Sequence, residues 1–184
     1  RVREAVLAAL PEARAAQVHG ALAHALEAFG DSDPEVLVEH FRGAGELPRA
    51  RKHVHESALA ASHALAFDRA ARLYRLALEL EPPDSNQRAG LLRGLGDALA
   101  NAGRLADAAS TYHGAGELTQ GLGSIELLRL SAQHYLSSGD RERGTSVLRR
   151  VLKAVDIAYP ETVQGAVARL LLERGRLRVG RLRF

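Results

Sequence analysis

The feature that most constrains this chain is a helical periodicity that only short breaks interrupt. Apolar residues recur at steps of three and four, as in Leu91, Leu95 and Leu99, which is the spacing of one face of an α-helix. The breaks are short and contain Gly, Pro or Asp, which end helices and form turns. Short connections force consecutive helices to run antiparallel. The sequence therefore predicts an all-α chain of helix hairpins.

Composition excludes most other fold classes. Of 184 residues, 33 are Ala and 30 are Leu, whereas there are only 12 Val, 2 Ile and 4 Thr and no Trp. Ala and Leu favour helices, and the scarce residue types are those that strands prefer. The chain contains no Cys, so disulfides and thiolate chemistry are excluded and a reducing, cytoplasmic location is expected.

The breaks also set the expected helix boundaries. Asp33-Pro34-Glu35 predicts a helix start, because it places a capping side chain, a first-turn proline and an acid in succession. The expected helices span residues 1–9, 11–29, 34–44, 47–64, 67–81, 86–102, 105–119, 124–138, 141–155 and 160–178.

A pattern of small and aromatic residues repeats within these helices. It consists of an alanine, a tyrosine four positions later and an alanine three positions after that, and it recurs 38 residues further along. Small residues let two helices approach closely, and the tyrosine fills the gap against the next hairpin. The residues expected to pack in this way are Ala70, Tyr74, Ala77, Gly96, Ala108, Tyr112 and Ala115.

This pattern resembles the tetratricopeptide repeat, a helix–turn–helix unit of about 34 residues. The resemblance implies a right-handed superhelical array of antiparallel helix hairpins over residues 51–156, a tetratricopeptide-repeat-like solenoid. Ser57 and Ala58 stand where the family usually has Leu-Gly, and Gly144 stands where it has a small Ala. An unrelated antiparallel helical array with alanine at its close contacts is the alternative.

The first fifty residues carry a second resemblance. They begin with RVREAVLAAL and continue through VHGALAHAL and VEHFRGAG. This succession resembles the stretch after the winged-helix part of large bacterial signalling ATPases of the STAND/AAA type, some of which are linked to a serine/threonine kinase. The resemblance implies the end of a winged-helix-like element at 1–10, atypical helical hairpins at 11–50 and a truncated, basic amphipathic helix at 157–184. Both ends interrupt a helical pattern, so a piece of a longer protein is expected, rather than a domain with frayed ends.

Catalytic and metal-binding signatures are missing from the sequence. It contains no GxxxxGK[ST] loop, no GxSxG and no HExxH. His53 and His55 are two residues apart and point to different faces of a helix, whereas His55 and His63 lie about 12 Å apart along its axis. We therefore expect surface or rim histidines, no metal, no cofactor and no enzymatic activity. The resemblance implies that any ATPase or kinase chemistry lies N-terminal to Arg1.

A polar stripe on the first helix of each expected hairpin is the candidate binding site. The residues fall at helical steps and mix acid, base, amide and hydroxyl groups, whereas a merely solvated face would more often carry Glu–Lys pairs. In tetratricopeptide arrays this side lines the groove that receives a peptide or protein segment; an ordinary solvated face is the alternative. A partner's carboxylate would pair with Arg93 or Arg129. The expected groove residues are Lys52, His55, Ser62, His63, Arg93, Asp97, Asn101, Arg129, Gln133 and Ser137.

The C-terminal stretch is strongly basic. Residues 169–184 hold six Arg and one Glu, in a chain of net charge +3. One interpretation is an amphipathic helix that buries Leu170, Leu171, Leu177 and Leu182. Binding to an acidic protein surface is a second, and contact with nucleic acid or anionic lipid is a third. Nucleic acid is disfavoured because Phe184 is the only aromatic residue in this stretch.

Together these patterns predict a non-enzymatic, cytoplasmic segment for protein–protein interaction or sensing, within a larger bacterial signal-transduction ATPase or kinase–ATPase. The expected partner is a protein or peptide segment, including another domain of the same polypeptide. A membrane is not expected, because the longest apolar run is far shorter than the roughly 20 residues of a membrane span. The alternatives are a helical segment of an ATPase-type transcription regulator with DNA-contacting neighbours, and an enzyme with an unrecognised site.

Overall fold

The computed structural model describes residues 11–30, 32–82, 86–160 and 162–180. All regular secondary structure in these ranges is α-helical, which confirms the all-α prediction. The expected helix 1–9 and residues 181–184 lie outside the described part. The helices are α1 (Glu12–Phe29), α2 (Pro34–Gly43), α3 (Leu47–His63), α4 (Phe67–Leu80), α5 (Arg88–Asn101), α6 (Leu105–Glu117), α7 (Gly121–Ser137), α8 (Arg141–Ala154) and α9 (Val163–Gly180).

Local sequence signals account for most helix ends. The Asp33 carboxylate accepts a hydrogen bond from the Glu35 amide at the start of α2, as the sequence predicts, and Asp140 caps α8 through the Arg143 amide. The largest differences are of three residues: α7 begins at Gly121, three residues before its expected start, and α9 begins at Val163, three residues after its expected start. A helical glycine costs only about 1 kcal/mol relative to alanine, so glycines in the first turn do not prevent helix formation.

Five helix ends in the described ranges share one hydrogen-bonding pattern. In each, an amide donates to the carbonyl oxygen five residues earlier: Glu46 to Phe41, Ala66 to Ala61, Arg104 to Leu99, Asp140 to Tyr135, and Ile157 to Leu152. The residue before each donor has a positive φ, and three of these five residues are glycines, at positions 45, 103 and 139. This geometry is that of a Schellman-type helix end. The other two positions are occupied by Leu65, with φ 59°, and Asp156, with φ 57°.

The helices pack in chain order. Each of α1 to α7 contacts the helix that follows it. All seven residues expected at close helix contacts are buried: Ala70, Tyr74, Ala77, Gly96, Ala108, Tyr112 and Ala115. Their burial explains the high alanine content, because a small side chain lets two helix backbones come close without leaving a void.

Two tyrosine rings lie directly on glycines of α5. A Cβ atom at Gly96 would lie 2.8 Å from Cε1 of Tyr112, and one at Gly94 would lie 2.5 Å from Cζ of Tyr74. Both distances are too short for any side chain. The Tyr74 ring therefore packs against the first helix of the next hairpin. The Tyr112 ring lies on Gly96 of its own hairpin and also stacks on His134 of α7, in the next one.

The interpretation in which the C-terminal helix buries its leucines is wrong for Leu170 and Leu171. Leu170 and Leu171 of α9 are 66% and 61% exposed, and within the described ranges α9 makes no extensive contact with another helix. Arg174 lies three residues after Leu171 and so interrupts the apolar stripe. The side chains of Leu177 and Leu182, which were also expected to be buried, lie outside the described part.

The turn at Leu65 predicts a stabilising substitution. A left-handed conformation costs a non-glycine residue about 1–2 kcal/mol, and Leu65 is 72% exposed, so it loses little burial on replacement. Leu65→Gly should raise the free energy of unfolding by up to about 1 kcal/mol, once the greater flexibility of glycine in the unfolded chain is subtracted. Urea denaturation measures the change. Gly103→Ala, at the equivalent turn, should lower stability; equal signs for both variants would contradict this explanation.

The close packing of α6 against its neighbouring helices predicts a second substitution, one that should destabilise the protein. Ala108 is fully buried, so Ala108→Leu should overpack the contact and cost about 1–3 kcal/mol. Ala106→Leu places the same side chain at an exposed position of the same helix and should change stability by less than about 0.5 kcal/mol. An unchanged urea midpoint for Ala108→Leu would mean that the helices do not meet there.

Candidate functional site

The candidate site is the set of ten expected groove residues on α3, α5 and α7, which we call the polar face. Nine of them are exposed, and Ser62 is half-buried. Shifts of 38 and 36 residues, the spacings between Leu65, Gly103 and Gly139 in the turns, place His55, Arg93 and Arg129 at equivalent helix positions. The same shifts make His63, Asn101 and Ser137 equivalent.

Two buried tyrosines connect α3 and α5 at this face. The Tyr112 hydroxyl donates a hydrogen bond of 2.6 Å to Oδ1 of Asp97. Tyr74 lies close to Ser62 of α3, whose hydroxyl donates to the Ala58 carbonyl oxygen, and the charge of Asp97 also acts on the Tyr74 hydroxyl. Ser62 and Asp97, which are expected groove residues from different helices, therefore meet around Tyr74.

Burial keeps both hydroxyls protonated. Desolvation raises the pKa of Tyr112, and the hydrogen bond to Asp97 raises it further. Desolvation is also the main cause of the raised pKa of Tyr74, and the nearby Ser62 hydroxyl partly offsets this rise. The Tyr112 hydroxyl thus remains a donor to Asp97 across the physiological pH range.

Helix α7 approaches the same tyrosine. The His134 ring stacks on the Tyr112 ring, with centroids 5.6 Å apart. Arg129 is the main cause of the lowered pKa of Glu126 on α7, and the charge of Arg93 on α5 adds to it; the same charge slightly opposes the raised pKa of Tyr112. The structure thus brings Ser62, Asp97 and His134, from three helices, around Tyr74 and Tyr112; Ser62 and Asp97 are expected groove residues, whereas His134 was not expected there.

The cation on α7 already has partners within its own helix. Two nitrogens of Arg129 donate to the two carboxylate oxygens of Glu126 at 2.8 and 2.9 Å, and a third donates to the side-chain oxygen of Gln133 at 2.9 Å. In this conformation Arg129 is therefore engaged within its own helix, and a partner's carboxylate would have to displace Glu126 or Gln133. Sequence reasoning missed Glu126, although an acid three residues before an arginine on one helix is a recognisable pairing signal.

The charges on α5 are open. Within the described ranges, Arg93 has no hydrogen bond or ion pair, and Asp97 has no ion pair; the side chain of Asp97 accepts a hydrogen bond from Tyr112. Asn101 donates to the backbone oxygen of Asp97. Helix α5 therefore presents an exposed cation and an exposed anion four residues apart.

The remaining residues of the polar face have fewer contacts. Lys52 and His55 line a pocket of about 410 Å³ together with Arg51, Glu56 and Glu81. His63 and Ser137 are exposed near the C-terminal ends of α3 and α7. None of these four residues forms a hydrogen bond or an ion pair with Arg93 or Asp97 in the described ranges.

The N-terminal histidines join helices to one another. His53 and Arg49 of α3 each contact Glu27 of α1 at 3.0 Å, and His24 of α1 contacts Glu46 at 3.0 Å. The hydrogen bond from His53 is the main cause of the lowered pKa of Glu27. Among the residues that the structure describes, no three His, Asp or Glu side chains are grouped to hold a metal ion.

Comparison with known proteins leaves the family open. No protein-family model matches the sequence, and no curated protein matches it significantly. Nor does any helix in the described ranges have both the length and the apolar character needed to cross a membrane. The resemblances to tetratricopeptide repeats and to STAND ATPases therefore stay predictions.

The environment of His134 predicts a pH dependence of stability. Desolvation and the charge of Arg129 lower its pKa below the ordinary 6.5, against a smaller opposite effect of Asp97. The unfolded chain then binds this proton more readily, so stability should fall as the pH drops below 6.5. The carboxylates whose pKa is lowered, such as Glu126, titrate below 4.5, so they change the free energy of unfolding only at lower pH.

The test compares urea denaturation at about pH 7.5 and 5.5. His134→Phe keeps a ring on Tyr112 but cannot be protonated, so its stability should fall less between these pH values than that of the wild type. His63→Phe controls for the loss of a histidine at a different position, on the polar face. If His134→Phe and the wild type lose equal stability between these pH values, folding does not lower the pKa of His134.

Proposed function

We propose that this chain is a non-enzymatic segment for protein–protein interaction, in which the polar face binds a segment of a protein partner. The observation that carries the proposal is the grouping of polar residues from α3, α5 and α7 around two buried tyrosines. Rigid, buried rings hold the polar groups in place, and preorganised groups lose less entropy when a partner binds.

The finer architecture that we propose is a tetratricopeptide-like array of stacked hairpins. It is supported by the sequential packing of the helices, by the recurring turn geometry, and by the burial of both alanine–tyrosine–alanine patterns. In such an array, equivalent helix faces line one continuous surface. The polar face would then form a groove long enough for an extended or helical segment.

We further propose that the chain serves in a bacterial signalling ATPase, with or without a linked kinase, in the cytoplasm. This proposal is supported only by the resemblance of residues 1–50 to the region after the winged helix of such proteins. The partner would then be another domain of the same polypeptide or a separate signalling protein.

Site-specific photo-cross-linking in cells that produce the protein tests the binding role. A photoreactive amino acid at position 101, on the polar face, should cross-link one discrete partner. The same amino acid at position 110, exposed on α6, should not. Arg93→Ala should weaken the cross-link several-fold, whereas Arg129→Ala should have a smaller effect because that side chain is bound within α7. Equal cross-linking from both positions, or none from position 101, would contradict the proposal.

A further inference from the structure

The exposed charges of α5 carry an inference about the partner, and it rests on the function proposed above. We propose that the bound segment presents a basic side chain to Asp97 and an acidic side chain to Arg93. Arg93 and Asp97 then recognise two opposite charges on the partner rather than a single charge.

The first argument is the state of Asp97. Its carboxylate is exposed and held by the buried Tyr112 hydroxyl at Oδ1, and no cation of the described chain pairs with it. A fixed carboxylate with no cation partner is a ready acceptor for the ammonium or guanidinium group of another chain. Because Tyr112 fixes its orientation, binding costs less side-chain entropy than at a freely rotating aspartate.

The second argument is that Arg93 and Asp97 do not satisfy each other. They are four residues apart on one helix, but the base precedes the acid, and this order is the weaker one for a helical ion pair. On α7 the acid precedes the base, and Glu126 and Arg129 do form a closed pair. On α5 this weaker order, together with the Tyr112 hydroxyl that holds Asp97, leaves both charges open.

The third argument is spacing. Four residues of an α-helix rise about 6 Å. Side chains on one side of an extended segment recur every two residues, at about 6.8 Å, and those on one helix face recur every four residues, at about 6 Å. An acid and a base two residues apart in an extended partner, or four apart in a helical one, therefore match Arg93 and Asp97.

Selection from a phage-displayed library of random peptides against the purified chain tests this inference. Enriched peptides should contain an acidic and a basic residue at a separation of two or of four, which distinguishes an extended from a helical partner. Selection against Asp97→Asn should lose the basic residue but keep the acidic one, since asparagine still accepts the Tyr112 hydrogen bond. Arg93→Gln should lose the acidic residue but keep the basic one.

Matched controls lie on α4, away from the polar face. Asp68→Asn and Arg72→Gln remove the same charges from exposed residues that are likewise four apart, with the acid first. Selection against these variants should return the wild-type pattern. If they change it as the α5 variants do, the selection senses net charge and the inference is wrong.

A synthetic peptide from the selection then locates the contact. Replacing its basic residue by glutamine, or Asp97 by asparagine, should each weaken binding by about tenfold or more in calorimetry. The two changes together should weaken binding little further, because both remove the same contact. Additive losses would overturn the inference.

The remaining outcomes separate the inference from the proposed function. Peptides that bind through Arg93 alone, with no basic residue sensitive to Asp97→Asn, would overturn the inference and leave the binding role intact. Failure to enrich any peptide, or enrichment of peptides insensitive to both α5 variants, would overturn the inference and the binding role of this face together.

Discussion

The contact on which this structure depends is the seating of two tyrosine rings on the bare backbone of α5. Tyr74 lies on Gly94 and Tyr112 on Gly96, at distances that leave no room for a Cβ atom. These rings fill the space between neighbouring helices, and they also carry their hydroxyls to the edge of the polar face. Packing and the candidate function therefore share the same residues: the ring buries apolar area, and the hydroxyl orients Asp97.

The polar face is uneven in its capacity to bind. On α7, Glu126, Arg129 and Gln133 satisfy one another, and a partner would have to break these bonds before making its own. On α5, Arg93 and Asp97 are exposed and form no ion pair in the described ranges. A fixed charge with no ion-pair partner can gain one without first losing another, so α5 is the part of the face where binding energy is available.

The sequence predicted the helices and their packing residues well and the details of the site less well. Periodicity, the Asp33 cap and the glycines of the turns are local signals, so they fixed the helix positions without knowledge of the fold. The expected burial of Leu170 failed because the apolar stripe of α9 contains Arg174 and the helix has no extensive contact among the described residues. The exposure of Arg93 followed from its helix position, whereas the internal pairing of Arg129 was overlooked.

By itself, the sequence determined that the chain is helical, where most helices begin and end, and which small residues lie at the contacts, because each of these depends on residues within a few positions of one another. Only the tertiary structure decided which charges remain open. Asp97 is held by Tyr112, fifteen residues away, and His134 stacks on the same ring from another helix. Such pairings depend on how helices approach one another in space, and no local pattern records that approach.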